Sequence, residues 1–152
     1  MRMRNVDGAG QRGFTLIELM VTVAVVAILS AVVYPNFSDY VLRGRLIDGT
    51  TKLADQQVRM EQYFLDNRRY TTVVGGAICG VGPIATPKDP FQLKCVATDN
   101  TYVAWVDGNP GATSLFHYFV NQLNVHSTTP VPGWNNTYAA TCWIIRKDGT
   151  CS

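Results

Sequence analysis

A run of 21 residues with a single charge constrains this chain more than any other feature. Residues 14–34 contain only one side chain that is charged at neutral pH, Glu18. At 1.5 Å per residue a helix of this length spans roughly 30 Å, which matches the hydrocarbon core of a bilayer. Three arginines (Arg2, Arg4 and Arg12) precede the run and give it a mild positive-inside bias. The pattern predicts a transmembrane helix over residues 14–35 with a cytoplasmic N-terminus.

Two simpler interpretations of the same run are weaker. A secretory signal peptide needs a small-x-small cleavage site after its apolar core, and Leu29-Ser30-Ala31 does not supply one. A small residue suited to cleavage, Gly13, instead stands before the run. An uncleaved membrane anchor is compatible with the hydropathy but leaves Glu18 unexplained.

The helical pattern extends beyond the apolar run. Pro35 removes one backbone donor and is expected to kink the helix rather than end it, because apolar residues recur at helical spacing from Asn36 to Asn67. We expect these residues to pack against the rest of the protein: Phe37, Tyr40, Val41, Leu46, Ile47, Leu53, Ala54, Val58, Met60, Phe64 and Leu65. A helix over residues 14–67 would be roughly 80 Å long, so a domain of this size covers only its second half.

Beyond Tyr70 the chain alternates short apolar runs with turn-forming residues. The runs predict strands over Gln92–Thr98, Tyr102–Val106, Leu115–Asn121 and Cys142–Arg146. Asp99-Asn100 predicts a hairpin between the first two strands. The predicted fold class is therefore α+β, with one antiparallel sheet of about four strands on the C-terminal half of a long helix.

The charge and the cysteines restrict the function. The formal net charge of +2 comes from the first thirteen residues, so the remaining body is neutral, which argues against a strongly basic nucleic-acid binder. Cys79, Cys95, Cys142 and Cys151 lack metal-site spacing and lie downstream of the apolar run, which favours two disulfides in an oxidising compartment. Pairing of neighbours, Cys79–Cys95 and Cys142–Cys151, is favoured by short separations among three possible connectivities. No catalytic or phosphate-binding motif occurs, so we expect neither enzyme activity nor a cofactor.

The residues from Gly13 to Met20, GFTLIELM, resemble the class III signal of type IV pilins and type II secretion pseudopilins. Residues 40–70, and the ending from Cys142 to Cys151, look more narrowly like minor pilins of the PilE/ComP type. Members of the family often carry glycine where Ala27 stands, so local unwinding of the helix before Pro35 is expected to be reduced here.

The resemblance implies a life cycle and a division of the chain. Residues 1–13 would be a leader removed by a prepilin peptidase between Gly13 and Phe14, and Phe14 would then be methylated. Residues 14–35 would serve first as the membrane anchor and then as the filament-core helix, with Glu18 and Pro35 acting in assembly. Residues 36–152 would form the head, which also contains the C-terminal half of the helix. The head would be periplasmic while the subunit sits in the bacterial inner membrane, and would later lie on the pilus at the cell surface.

The implied partners are other pilins, the peptidase and the inner-membrane assembly machinery. The favoured function is that of a minor pilin that supports pilus biogenesis. One alternative is a secretion pseudopilin. Another is DNA capture for uptake, because some ComP-type relatives bind DNA. Tyr70, Trp134 and Trp143 could then combine with cationic side chains into a basic–aromatic patch. The candidate contact residues are Arg68, Arg69, Lys88, Lys94, Arg146 and Lys147.

Overall fold

One long helix is followed by a four-stranded sheet. The computed structural model describes residues 13–82 and 89–152, with only the backbone described for residues 32–36. The chain divides into two compact units, one ending at Ser38 and one spanning Asp39–Ser152. The helix and strands are α1 (Leu16–Asn67), β1 (Phe91–Ala97), β2 (Tyr102–Gly108), β3 (His117–Asn121) and β4 (His126–Thr128). The strands are antiparallel in the order β1-β2-β3-β4, which confirms the predicted α+β class.

Helix α1 has local signals at both ends. The hydroxyl of Thr15 accepts a hydrogen bond from the backbone N–H of Glu18 at 3.3 Å, as an N-cap residue does. The helix continues through Pro35, as the resumed pattern predicted. Arg68 ends it with a positive φ of 58° and donates its N–H to the carbonyl of Phe64 at 2.7 Å. This left-handed position is one that glycine usually fills.

The core of the head lies between α1 and the inner face of the sheet. Leu46, Leu53 and Met60, spaced seven residues apart, are fully buried. They belong to one cluster with residues of the first three strands, among them Phe91, Tyr102, Tyr118 and Val120. A seven-residue spacing keeps side chains on nearly the same side of a helix. The helix therefore presents one narrow face to the sheet.

The expectation that all apolar residues of this stretch pack into the core is wrong for several of them. Large parts of Phe37, Tyr40, Ile47, Val58 and Leu65 are exposed. Each residue advances a helix by about 100°, so Ile47 and Leu65 lie on a different side from Leu46 and Met60. The apolar pattern combined two faces of the helix, and only one of them meets the sheet.

Strands β1 and β2 form the predicted hairpin. Phe91 pairs with Gly108 and Ala97 with Tyr102, so residues 98–101, which include Asp99-Asn100, form the turn. Along both strands buried and accessible side chains alternate. One face of the sheet therefore meets α1 and the other remains accessible.

The predicted strand over Cys142–Arg146 is wrong, and the fourth strand is β4. Trp143, Ile144 and Ile145 are all buried, whereas a strand on this sheet would alternate. Their backbone groups bond to side chains and to the C-terminal turn instead. The Ile144 carbonyl accepts a hydrogen bond from the Tyr118 hydroxyl at 2.8 Å, and the Ile144 N–H donates to the Thr128 hydroxyl at 2.9 Å. The three polar residues of β4 gave no strand signal. Pairing with β3 places them in the sheet.

The structure has two disulfides, Cys79–Cys95 and Cys142–Cys151, which is the connectivity that short separations favoured. The first joins β1 to the segment after α1. The second closes a C-terminal turn in which Ile144 and Cys151 form an isolated bridge.

Candidate assembly and surface sites

The start of α1 carries the predicted processing site. Gly13 precedes the helix and Phe14 is 84% exposed. Every large apolar side chain from Phe14 to Leu29 has at least half of its surface exposed. Among the residues that the structure describes, no helix qualifies as long and apolar enough to span a membrane. The first part of α1 nevertheless presents apolar surface on all sides.

Glu18 lies in the first turn of α1, one turn beyond Phe14. The T-x-x-E spacing of Thr15 and Glu18 is that of a capping box, and the Thr15 half of it is formed. The carboxylate is exposed within the apolar run. Its charge therefore lies near the helix N-terminus, where the helix dipole favours a negative group.

Two of the candidate cationic residues follow the end of α1. Arg68 is exposed. The Arg69 guanidinium donates to the carbonyls of Thr71 at 3.1 Å and Thr72 at 3.4 Å. Arg69 thus holds the loop after the helix, while Arg68 points its charge into solvent.

Lys94 lies on β1 and is paired with a carboxylate. Its ammonium is 2.8 Å from Asp107 on β2, and the same carboxylate bonds to Nδ1 of His117 at 2.8 Å and to Nε1 of Trp105 at 3.2 Å. Partial burial alone would raise the pKa of Asp107, but the hydrogen bonds from Lys94 and His117 outweigh it and hold the pKa below its ordinary value. Lys94 is therefore largely neutralised.

Arg146 and Lys147 lie in the C-terminal turn closed by Cys142–Cys151. The Lys147 ammonium is 3.0 and 2.9 Å from the carboxylate oxygens of Asp39, near the start of the head's helix. Twenty-nine residues separate Asp39 from Arg68, which corresponds to about 43 Å along a helix. The two arginine-containing groups therefore lie near opposite ends of the head. Lys88 falls outside the described residues.

The aromatic residues of the hypothesised patch pack against other rings of the head and do not form an open stacking surface. Tyr70 stacks on Phe64 with ring centroids 4.5 Å apart, and burial together with the Glu61 carboxylate raises the pKa of its phenol to about 12. Trp143 stacks on His126 at 3.8 Å and donates to the Phe119 carbonyl. Trp134 packs against Phe116. The structure does not combine the candidate residues into one basic–aromatic patch.

Two carboxylates that organise the head were not recognised from the sequence. Asp99 accepts the Thr71 hydroxyl and the Gly75 N–H, the latter at 3.0 Å. Asp107 gathers three donors from three strands. Asp99, next to Asn100, was interpreted only as part of a hairpin turn, and Asp107, next to Gly108, was not singled out. The partners of Asp99 come from the loop after α1 and two of those of Asp107 from neighbouring strands, and neither kind of contact has a local sequence signal.

Comparison with known proteins agrees with a long helix that begins with a processing motif and is followed by a small sheet. Residues 8–34 match the prokaryotic N-terminal methylation motif. That motif implies a membrane-anchored pilin that later lies on the pilus surface. Residues 35–116, more than half of the chain, match the family described as "Type IV minor pilin ComP, DNA uptake sequence receptor".

Individual relatives are similar over much of the chain. Prepilin peptidase-dependent protein D of Escherichia coli (strain K12) is 32% identical over 133 residues, covering 88% of this chain and 80% of that protein. Type IV wide pilus major component PilA4 of Thermus thermophilus is 34% identical over 105 residues, covering 69% of this chain and 79% of that protein. Type IV major pilin protein PilE1 of Neisseria gonorrhoeae is 37% identical over 60 residues, covering 40% of this chain and 36% of that protein.

A long N-terminal helix with a methylation motif at its start, followed by a small antiparallel sheet, defines a type IV pilin. Within that class, the chain belongs to the ComP family of type IV minor pilins. The resemblance inferred from GFTLIELM is therefore confirmed, and the protein is a pilus subunit.

Proposed function

We propose that this minor pilin is cleaved between Gly13 and Phe14, methylated on Phe14, and inserted into a pilus through α1. Before assembly it is held in the bacterial inner membrane with its N-terminus in the cytoplasm and its head in the periplasm. The inner-membrane machinery then transfers it to the filament. The observation that carries this proposal is the exposed apolar surface of α1, which a free subunit leaves uncovered.

The charges at the start of α1 support a pairing step. Cleavage before Phe14 creates an amine about one turn from Glu18. An uncompensated carboxylate in hydrocarbon costs on the order of 3 kcal/mol. The Phe14 amine of a neighbouring subunit would remove this cost because the two opposite charges neutralise one another. Each added subunit would then bring one unpaired charge, which the opposite charge of the next subunit would neutralise.

The head half of α1 supplies a second apolar strip. Tyr40, Ile47, Ala54, Val58 and Leu65 lie within about 20° of one line along the helix, and all five are exposed. This strip, which we call the outer helix stripe, lies on a different side from the buried Leu46, Leu53 and Met60. Exposed apolar strips of this kind mark interaction surfaces. Neighbouring pilins in a filament would cover it.

Mass spectrometry of the mature chain tests the processing step. We expect the chain to begin at N-methyl-Phe14, whereas a start near Ala31 would indicate an ordinary secretory signal. Glu18→Gln and Glu18→Ala should leave membrane insertion intact but reduce the amount of subunit in sheared pili. Thr22→Ala, which removes an uncharged polar side chain from the same segment, is the matched control. Unchanged incorporation of both Glu18 variants would refute the pairing step.

DNA capture is a second candidate, and the geometry of Arg68 favours it alongside the family match. A non-glycine residue in the left-handed conformation costs about 1–2 kcal/mol, yet an exposed arginine occupies this position. Glycine would cap the helix more favourably. Retention of a cation at a strained position is the pattern expected where the charge has a function.

The DNA candidate can be tested with the full chain in detergent and a double-stranded DNA fragment. Phosphate contacts make binding weaken as salt rises, and loss of one contact lowers the slope of log affinity against log salt by about 1. Arg68→Gly should raise the stability of the head and lower this slope. Arg146→Ala tests the opposite end of the head, and Arg59→Ala is a cationic control on α1, about two turns before the helix ends. Absence of binding by the parent protein at low salt would dispose of this candidate.

A further inference from the structure

The outer face of the sheet presents two aromatic side chains at its centre. Lys94, Trp105 and Phe119 occupy one row across β1, β2 and β3, and all three lie on the accessible side of the alternation. Gln92, Asp107 and His117 form the neighbouring row. We call these two rows the outer sheet face. They place aromatic groups beside polar ones on the accessible side of the sheet.

Trp105 and Phe119 differ from the aromatic groups that pack in the core of the head. The rings of the core stack or tilt against one another, and Trp143 stacks on His126. Among the described residues, neither Trp105 nor Phe119 has such a ring partner, and both are only partly buried. The Nε1 of Trp105 donates to Asp107 at 3.2 Å, which fixes one edge of the indole. The ring is thereby oriented without another ring being placed on its face.

The charges of the outer sheet face cancel locally. Lys94 and Asp107 form an ion pair at 2.8 Å, and Gln92 beside them is uncharged. A polyanion such as a nucleic acid needs an excess of positive charge to replace its counterions. A neutral ligand does not have this requirement and can use the same groups as hydrogen-bond donors and acceptors.

We propose that the outer sheet face binds an uncharged oligosaccharide. The C–H groups on one face of a pyranose carry partial positive charge and are attracted to the electron-rich face of an aromatic ring. Sugar hydroxyls are both donors and acceptors, which suits the Gln92 amide and the Asp107–His117 pair. Trp105 and Phe119 lie opposite each other on adjacent strands, where directly paired residues have Cβ atoms about 5 Å apart. Two neighbouring rings provide space for more than one sugar unit.

Binding should be measured with the full chain in a detergent that has no sugar headgroup. A glycan array of uncharged oligosaccharides would identify the probe, and calorimetry with the strongest hit would give its affinity. Trp105→Ala and Phe119→Ala should each weaken binding about tenfold, the size of a lost stacking contact. Trp105→Phe should retain part of the affinity because a ring remains.

Tyr138→Ala removes an aromatic side chain that is 57% exposed elsewhere on the head, and it should leave the affinity unchanged. Thermal unfolding of each variant separates loss of binding from loss of fold. An array without hits overturns the proposal. So does binding of single-stranded oligothymidine in place of sugars, and so does an affinity that Trp105→Phe and Trp105→Ala reduce equally while both remain folded.

Discussion

Single carboxylates join parts of the head that lie far apart in the sequence. Asp99, in the β1–β2 turn, binds the loop that follows α1 through Thr71 and Gly75. Its own carbonyl accepts the N–H of Tyr70 at 3.0 Å. One residue thus fixes the turn and the loop relative to each other.

The contribution of Asp99 should depend on pH. The hydrogen bond from Thr71, then that from Gly75, holds the pKa of Asp99 below its ordinary 3.8. A depressed pKa means that the stabilisation is present above the unfolded-state pKa and is lost as the pH falls through the folded-state value. We expect Asp99→Asn to lower the free energy of unfolding at neutral pH, with the difference shrinking below about pH 4.

Urea unfolding across this pH range measures the effect, and Asp66→Asn, an exposed carboxylate at the end of α1, is the control. A difference between Asp99→Asn and the parent that stays constant down to the lowest pH would contradict the assignment.

At the level of elements, α1 was the part of the fold best suited to prediction from sequence. Its length, its start near Thr15 and its continuation through Pro35 follow from local signals. The sequence did not show which of its apolar residues would be buried, such as Leu46, and which would be exposed, such as Ile47. The apolar pattern does not indicate which face of the helix packs against the sheet. The same limit explains β4 and the region after Cys142. Their structure depends on contacts with β3, Thr128 and the last residues of the chain.

Two glycines of α1 should respond in opposite ways to alanine. A Cβ at Gly49 would come within 2.7 Å of the buried Phe91 ring, whereas a Cβ at Gly44 meets nothing within 4 Å. We expect Gly49→Ala to lower the free energy of unfolding by about 1–3 kcal/mol through overpacking. Gly44→Ala should raise it by about 0.5–1 kcal/mol through helix propensity. Equilibrium unfolding of the two variants checks the pair, and a shift of the same sign in both would contradict this packing.

The C-terminal disulfide should stabilise the turn that replaces the predicted strand. Cys142 and Cys151 are nine residues apart. Changing both to serine should lower the free energy of unfolding by about 2–4 kcal/mol, while membrane insertion, which we attribute to the apolar run of residues 14–34, should persist. Unfolding measurements with and without reductant provide the test. Because reductant would also open Cys79–Cys95, the decisive comparison is between the parent and the double variant without reductant, and equal stability of the two would contradict the prediction.

At the scale of the whole molecule, the sequence identified the family but not the functional surfaces. GFTLIELM is a contiguous motif, so it can be recognised without a structure. Arg68, Lys94 and Lys147 were grouped by charge alone, and the fold separates them because ion pairs and distance depend on tertiary structure. Surface function is therefore the level at which the sequence was least informative.

The outer helix stripe leads to a prediction about assembly. Val58 is 56% exposed on the stripe, and Val73, in the loop after α1, is 61% exposed. We expect Val58→Glu to reduce the amount of subunit in sheared pili, because a carboxylate would be buried between helices. Val73→Glu changes a residue of similar exposure outside the stripe, and the amount of this variant in sheared pili should be closer to that of the parent. Both variants should have the unfolding midpoint of the parent, and equal incorporation of the two would argue against the stripe as a contact.

The ion pair between Lys147 and Asp39 links residues 108 positions apart. Close by in the sequence, Trp143 and Ile144 bond to β3, near the middle of the sheet. The head therefore cannot complete its packing until nearly the entire polypeptide has been synthesised, and contacts at such separation form late because of their loop-closure entropy. A subunit truncated by its final ten residues would keep the N-terminal methylation motif but would lack Trp143, Ile144 and Lys147, so its head would be incompletely packed. We therefore expect such a truncated subunit to be incorporated into pili less than the parent is.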